Sequence, residues 1–265
     1  MRRLQSIMTI LGVALVLALT GAPSAQADPG PSNTEGTVSP AIIGGVEATR
    51  AYSFMVSIQD AETHFCGGSL ISPSWVVTAL HCVVNHTPEE LKLRIGSLRW
   101  QTGGQERGVD QIVLYPGGAP EAHDLALLKL DQVVFNAPVR IGTRPAEGGP
   151  TRLIGWGCTV PWQSFCNPPD VLQRLDSAVR PASACDNPGN PIDPATEICT
   201  GNPDTQAGPC RGDSGGPLLV PSFGTWRLIG AFSRMNDIFC RDGKGVYTDV
   251  AAHRTWIESV TGLLP

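Results

Sequence analysis

The sequence predicts an all-β protein closed by one terminal helix. Three observations carry that class. Short apolar runs rich in Val, Ile and Leu recur along the chain, bounded by turn residues at the spacing of a sandwich or barrel. Gly (30) and Pro (23) are plentiful while 16% of residues are charged, which favours short elements joined by many turns and argues against coiled coil or long helices. Helical periodicity shows only near the C-terminus. With 265 residues, 42% of them hydrophobic, the chain can bury a sizeable core as one large domain or two small ones.

The elements follow in order. Arg2 and Arg3 precede an apolar run over 7–19, and Ala25-Gln26-Ala27 supplies a small-x-small cleavage pattern. Residues 1–27 are therefore expected to be a secretory signal peptide. A membrane anchor needs roughly 20 apolar residues, and this run is shorter. Residues 28–41, DPGPSNTEGTVSPA, are polar and rich in Pro, Gly and Ser, the composition of a propeptide without a packed core. At Ile42 the character changes, and 42–265 is expected to be the folded, secreted domain. Candidate strands are SFMVSIQD (53–60), GSLISPSWVVTAL (68–80), LKLRIG (91–96), QIVLYPGG (111–118) and DLALLKLD (124–131). TRLIGWG (151–157), GPLLVPS (216–222), WRLIGAFS (226–233) and GVYTDV (245–250) follow. GGPT at 148–151 opens a second half, which divides the domain into 42–147 and 148–250. The helix is expected around 251–260, with Trp256, Ile257 and Val260 along one face.

Composition excludes some partners. Net charge is −5 with no basic cluster beyond Arg2-Arg3, so nucleic acid is not expected. No later stretch is long and apolar enough to span a bilayer, so no membrane association is expected either. An exported chain meets an oxidising compartment, where Cys66, Cys82, Cys158, Cys166, Cys185, Cys199, Cys210 and Cys240 are expected to form disulfides. The rival is zinc, since His64 lies near Cys66 and His81 adjoins Cys82. The residues alone do not assign the bridges.

Three segments carry chemistry. TALHC (78–82) ends a strand-like run with a histidine, HDLALLKL (123–130) heads an apolar strand with an aspartate, and GDSGGP (212–217) supplies a serine among glycines. A serine hydroxyl is a poor nucleophile until a base takes its proton, and that base must be oriented by a third group. Glycine permits backbone angles that other residues avoid and lets another main chain approach. His81, Asp124 and Ser214 are the candidates.

On these motifs the chain resembles the chymotrypsin/trypsin family of serine proteases. TALHC, DLALLKL and GDSGGP match in order, as do the start Ile42-Ile43-Gly44-Gly45, CGGSLI (66–71), GWG (155–157) and GVYTDV (245–250). The resemblance spans 42 to the terminal helix. It implies two packed six-stranded antiparallel β-barrels. It makes Ser214 the nucleophile, His81 the general base and then acid, and Asp124 the group fixing its tautomer. The N–H groups of Gly212 and Ser214 form the implied oxyanion hole. Ile42, once freed by proteolysis, is implied to pair its amine with Asp213, which makes the precursor a zymogen. The implied bridges are Cys66–Cys82, Cys185–Cys199 and Cys210–Cys240, leaving Cys158–Cys166. Arg211-Gly212-Asp213 also spells an adhesion tripeptide, a role excluded by an interior commitment of Asp213.

The resemblance also places the primary pocket. Gly208 stands at its floor, where trypsin-like members carry aspartate, so cleavage after Lys or Arg is not expected. Ser233-Arg234-Met235 replaces the usual Ser-Trp-Gly. Met235 is expected to narrow the entrance and Gly245 to keep the opposite wall open, favouring small or medium apolar residues. Arg211, Arg234 and Lys244 around the pocket raise a second expectation, a preference for acidic residues. Peptides and proteins are the expected substrates, protein protease inhibitors the expected partners, and the enzyme is expected to be a monomer without cofactor or metal. Two other functions were weighed. A non-catalytic homologue acting by binding is disfavoured because no triad residue is lost. An α/β-hydrolase expects the order Ser, acid, His, which is not the order here.

Overall fold

The computed structural model describes residues 42–61, 63–161, 167–202 and 205–264. The expected signal peptide and propeptide lie outside them. So does Cys166, and with it the Cys158–Cys166 bridge. Contacts group Val38–Pro265 as one compact unit, which contains both sheets described below.

Six strands of the first half close into a barrel: β2 (Met55–Asp60), β3 (Thr63–Ser72), β4 (Trp75–Thr78), β5 (Lys92–Ile95), β6 (Gln105–Leu114) and β7 (Ala126–Leu130). Their order is β2-β3-β4-β7-β6-β5, with every pairing antiparallel. Six more form the second ring: β9 (Pro150–Gly155), β10 (Gln173–Val179), β11 (Glu197–Gly201), β12 (Pro217–Ser222), β13 (Thr225–Met235) and β14 (Lys244–Asp249). They run β9-β10-β11-β14-β13-β12 and return to β9. Closure removes the open edges that an apolar sheet would otherwise expose. The β12–β13 turn shows the local logic. Phe223 (φ +45) and Gly224 (φ +76) both take left-handed angles, as a two-residue hairpin matching the strand twist requires.

Two short strands fall outside the rings. β1 (Val46–Glu47) pairs with β10, and β8 (Arg140–Ile141) runs parallel to β13. The second ring therefore recruits chain from the first half. The terminal helix α2 (Arg254–Thr261) returns the exchange, with buried Ile257 and half-buried Trp256 and Val260 facing the core that fills the first barrel. The expected helical face is observed. β10 and β11 were not anticipated, because each begins with a polar residue, Gln173 or Glu197, that the fold buries.

Candidate active site

His81 sits on α1 (Leu80–Val83), the single turn that follows β4. Asp124 lies just before β7, fully buried. Its carboxylate accepts the His81 backbone N–H at 2.9 Å, His81 Nδ1–H at 2.7 Å and Ser233 Oγ–H at 2.8 Å. A carboxylate only accepts, so Nδ1 is the nitrogen that donates to Asp124 and Nε2 is the one left turned away from it. Ser233 can reach Asp124 because the β13–β14 register slips between Phe232 and Arg234, a bulge that re-aims the side chain. His123, immediately before Asp124, takes a left-handed φ of +53°. Its ring stacks on Tyr115 and hydrogen-bonds His253 Nε2 at 3.0 Å.

The serine loop is brought to this pair by main chain. Gly67 N–H donates to the Ser214 carbonyl at 2.7 Å, and Thr78 Oγ–H donates to the Gly67 carbonyl at 2.8 Å. A side chain on Gly215 would collide with Thr78 Oγ1, the Gly67 carbonyl and the Ala79 nitrogen. The residue after Ser214 is thus pressed against the segment that enters α1. Ser214 Oγ and His81 Nε2 share no hydrogen bond; the nearest sulfur to Nε2, Cys82 Sγ at 3.8 Å, is oxidised and donates nothing.

Gly212 has φ +91°. His64 Nε2 donates to its carbonyl at 3.0 Å, while His64 Nδ1 accepts from Ser57 Oγ at 2.9 Å. Gln59 Nε2 supports Ser57 at 3.1 Å and reaches the Trp100 carbonyl at 2.7 Å. Burial drives the pKa of His64 down to about 4, opposed by its bond to Gly212. The ring is neutral at pH 7, and its tautomer is fixed. The N–H groups of Gly212 and Ser214 have no acceptor among the described residues. Both remain available to an incoming oxygen.

Asp213 is buried, accepting Gly157 N–H and Cys210 N–H at 2.9 Å each. Side chains on Gly155 or Gly157 would occupy the space of its carboxylate, which explains the GWG motif. Burial raises the Asp213 pKa to about 7 against those two donors. The adhesion role is excluded by this interior position. Ile42 is fully buried, and the Ile43 carbonyl accepts Gly208 N–H at 2.9 Å.

Around the expected pocket two residues are engaged by their neighbours. Arg234 is not a free cation. Its guanidinium forms a two-point ion pair with Glu197, through NH1 to Oε1 and NH2 to Oε2 at 3.0 Å. Gly245 is not an open wall, because a side chain there would meet Pro209 Cγ and the Phe232 ring. Pro209 fills that side, and no local pattern marks it. Gly208 is buried with its Cα against the Gly243 main chain. Met235 is half-buried, its Sδ 3.0 Å from Cys240 Sγ along the Cys210–Cys240 bridge. Lys244 lies 3.8 Å from Asp242, and Arg211 is exposed. The Cys66–Cys82 and Cys185–Cys199 bridges are present as expected, and the first takes both sulfurs of the rival zinc set.

Two closed antiparallel barrels, with a histidine–aspartate pair on one and a glycine-bound serine loop from the other, define the class of chymotrypsin-like serine hydrolases. Comparison with known proteins agrees. The Trypsin family model matches residues 42–257. Trypsin epsilon of Drosophila erecta is 33% identical over 231 residues, covering 82% of this chain and 86% of that protein. Trypsin of Sarcophaga bullata is 33% identical over 230 residues (82% and 87%), and Hypodermin-A of Hypoderma lineatum 33% over 231 (82% and 86%). The chain belongs to the trypsin family and is a serine endopeptidase acting on peptides or proteins.

Proposed function

We propose that the chain is a secreted, zymogen-type endopeptidase that works through an acyl-enzyme on Ser214. His81 Nε2 takes the Oγ proton as Oγ attacks the carbonyl carbon. The oxygen that becomes negative is met by the N–H groups of Gly212 and Ser214, a type of contact worth about 2.7–4 kcal/mol per donor in the transition state. The imidazolium, steadied by Asp124, gives its proton to the departing amine, and water then hydrolyses the ester by the same steps reversed. The bond from His81 Nδ1 to Asp124 supports this assignment most directly, since it leaves Nε2 as the nitrogen free to take the Oγ proton. The missing Oγ–Nε2 bond is expected to close in the substrate complex. Cleavage before Ile42 frees the amine that neutralises Asp213. The signal pattern over 1–27 supports export, and no described helix is long and apolar enough to cross a membrane.

For the primary pocket we propose small or medium apolar side chains. Gly208 carries no charge, and the nearby Gly243 backbone leaves no room for an acid there. The names of the trypsin relatives therefore do not carry a Lys/Arg preference to this chain. Pairing of Arg234 with Glu197 weakens the acidic alternative. Labelling with a fluorophosphonate tests the chemistry: Ser214 in the processed protein should be modified and Ser214→Ala should not. A peptide library read on processed, unlabelled enzyme tests the pocket, where dominant cleavage after Lys, Arg, Asp or Glu would overturn the preference.

A further inference from the structure

The edge of β13 beside the serine is free. Phe232 exchanges hydrogen bonds with Gly215 and Gly216, at 2.7 and 2.9 Å. Beyond it, Arg234 and Met235 are paired only toward β14, Ser233 sits in the register shift between Phe232 and Arg234, and no strand covers their other side among the described residues. An unpaired edge of this kind accepts an extended peptide as an added strand.

The Arg234 side chain leaves that edge for the interior of the second half. It is 13% exposed and its partner Glu197 2%. Glu197 Oε2 also accepts the Asp193 N–H at 2.9 Å, while Arg234 donates to the Pro191 carbonyl at 3.2 Å. Arg144 adds bonds to the carbonyls of Glu197, at 2.8 Å, and Pro194, at 3.1 Å. The Cys185–Cys199 bridge closes the same loop from its base. The pair therefore rivets loop 186–196 to the strand that borders the serine. Desolvating two charges is costly, and a well-packed apolar pair is often as stable or more so. Stability alone is therefore a weak account of this ion pair.

We infer that Glu197 is a positioning residue for extended substrates: through Arg234 it holds the 233–235 edge and loop 186–196 in register for a peptide reaching several residues to the N-terminal side of the cut bond. The inference rests on the endopeptidase reading above. It concerns binding along the edge and leaves the proton transfers at Ser214 untouched.

The test compares processed protein, starting at Ile42, of wild type, Glu197→Gln and the double variant Glu197→Leu/Arg234→Met. Rates are normalised to Ser214 labelled by the fluorophosphonate, on an acylated single-residue anilide and an acylated tetrapeptide anilide sharing the same residue at the cut. Glu197→Gln should raise KM for the tetrapeptide about tenfold, keep kcat/KM for the short substrate within about twofold, and leave the labelling rate unchanged. The double variant should melt within a few degrees of wild type yet keep the raised tetrapeptide KM. A stable double variant with wild-type KM would reduce the pair to a structural role and overturn the inference, as would equal losses on both substrates. Absence of labelling in wild type would overturn the endopeptidase reading and this inference together.

Discussion

Asp213→Asn should stabilise the uncleaved chain at alkaline pH. In this chain the Ile42 nitrogen is still an amide, and the buried Asp213 carboxylate has two backbone donors but no cationic partner among the described residues. Its pKa stands at about 7 against 3.8 unperturbed. A carboxyl raised on folding adds stability that is fully present below 3.8 and lost as pH rises through about 7. At about 1.4 kcal/mol per pH unit, the ionised group costs the fold about 4 kcal/mol at pH 8. Asparagine removes the charge but satisfies only one of the two N–H donors, which returns about 1.5 kcal/mol. The net gain is about 2–3 kcal/mol, or roughly 5–10 °C in melting temperature for a domain of this size. The assay is thermal unfolding of the full chain carrying Ser214→Ala, with and without Asp213→Asn, from pH 4 to pH 8. The variant should melt higher at pH 8, with the advantage vanishing or reversing toward pH 4. A difference that does not change with pH would refute the claim that an unpaired buried charge distinguishes the precursor.

Three further outcomes are expected. His64 is titrated with the opposite sign: its pKa of about 4 lies below the ordinary 6.5, so its contribution is full above 6.5 and falls by about 3 kcal/mol as pH drops to 4. Urea unfolding of His64→Gln should show that acid loss removed. Ser233→Ala withdraws one of the donors to Asp124 and should lower kcat about tenfold with KM little changed, read by steady-state kinetics. Replacing Cys185 and Cys199 by alanine opens a loop of 14 residues' separation and should cost about 3 kcal/mol in denaturant unfolding.

The site was legible in the sequence to an unusual depth, while the strands around it were read unevenly. Runs such as ALLKL and PLLV are almost wholly apolar because both faces are covered, and they announce themselves. β10 and β11 do not. Gln173 and Glu197 are 1% and 2% exposed, so polarity misreports their burial, and only their three-dimensional partners explain it. The same blindness made Arg234 look like a pocket cation. Its distance from Glu197 in sequence is 37 residues, and no local pattern links them. His64 was visible only as a metal-ligand candidate, since its bond to the Gly212 carbonyl crosses 148 residues.

What made the three motifs readable is close approach of main chain. Gly67 on β3 meets the Cα of Gly216, Gly215 meets Thr78 ahead of α1, and Gly155 and Gly157 make room for Asp213. Each contact excludes a Cβ, so each leaves a glycine that no other residue can replace without moving a barrel or unseating the carboxylate. The first two of these contacts also join the two rings beside Ser214 and His81. The geometry that brings distant chemistry together is thus the geometry that constrains composition most tightly. Pro209, Glu197 and His64 act instead through side chains whose roles depend on which partner the fold supplies, and such roles leave no fixed spacing behind.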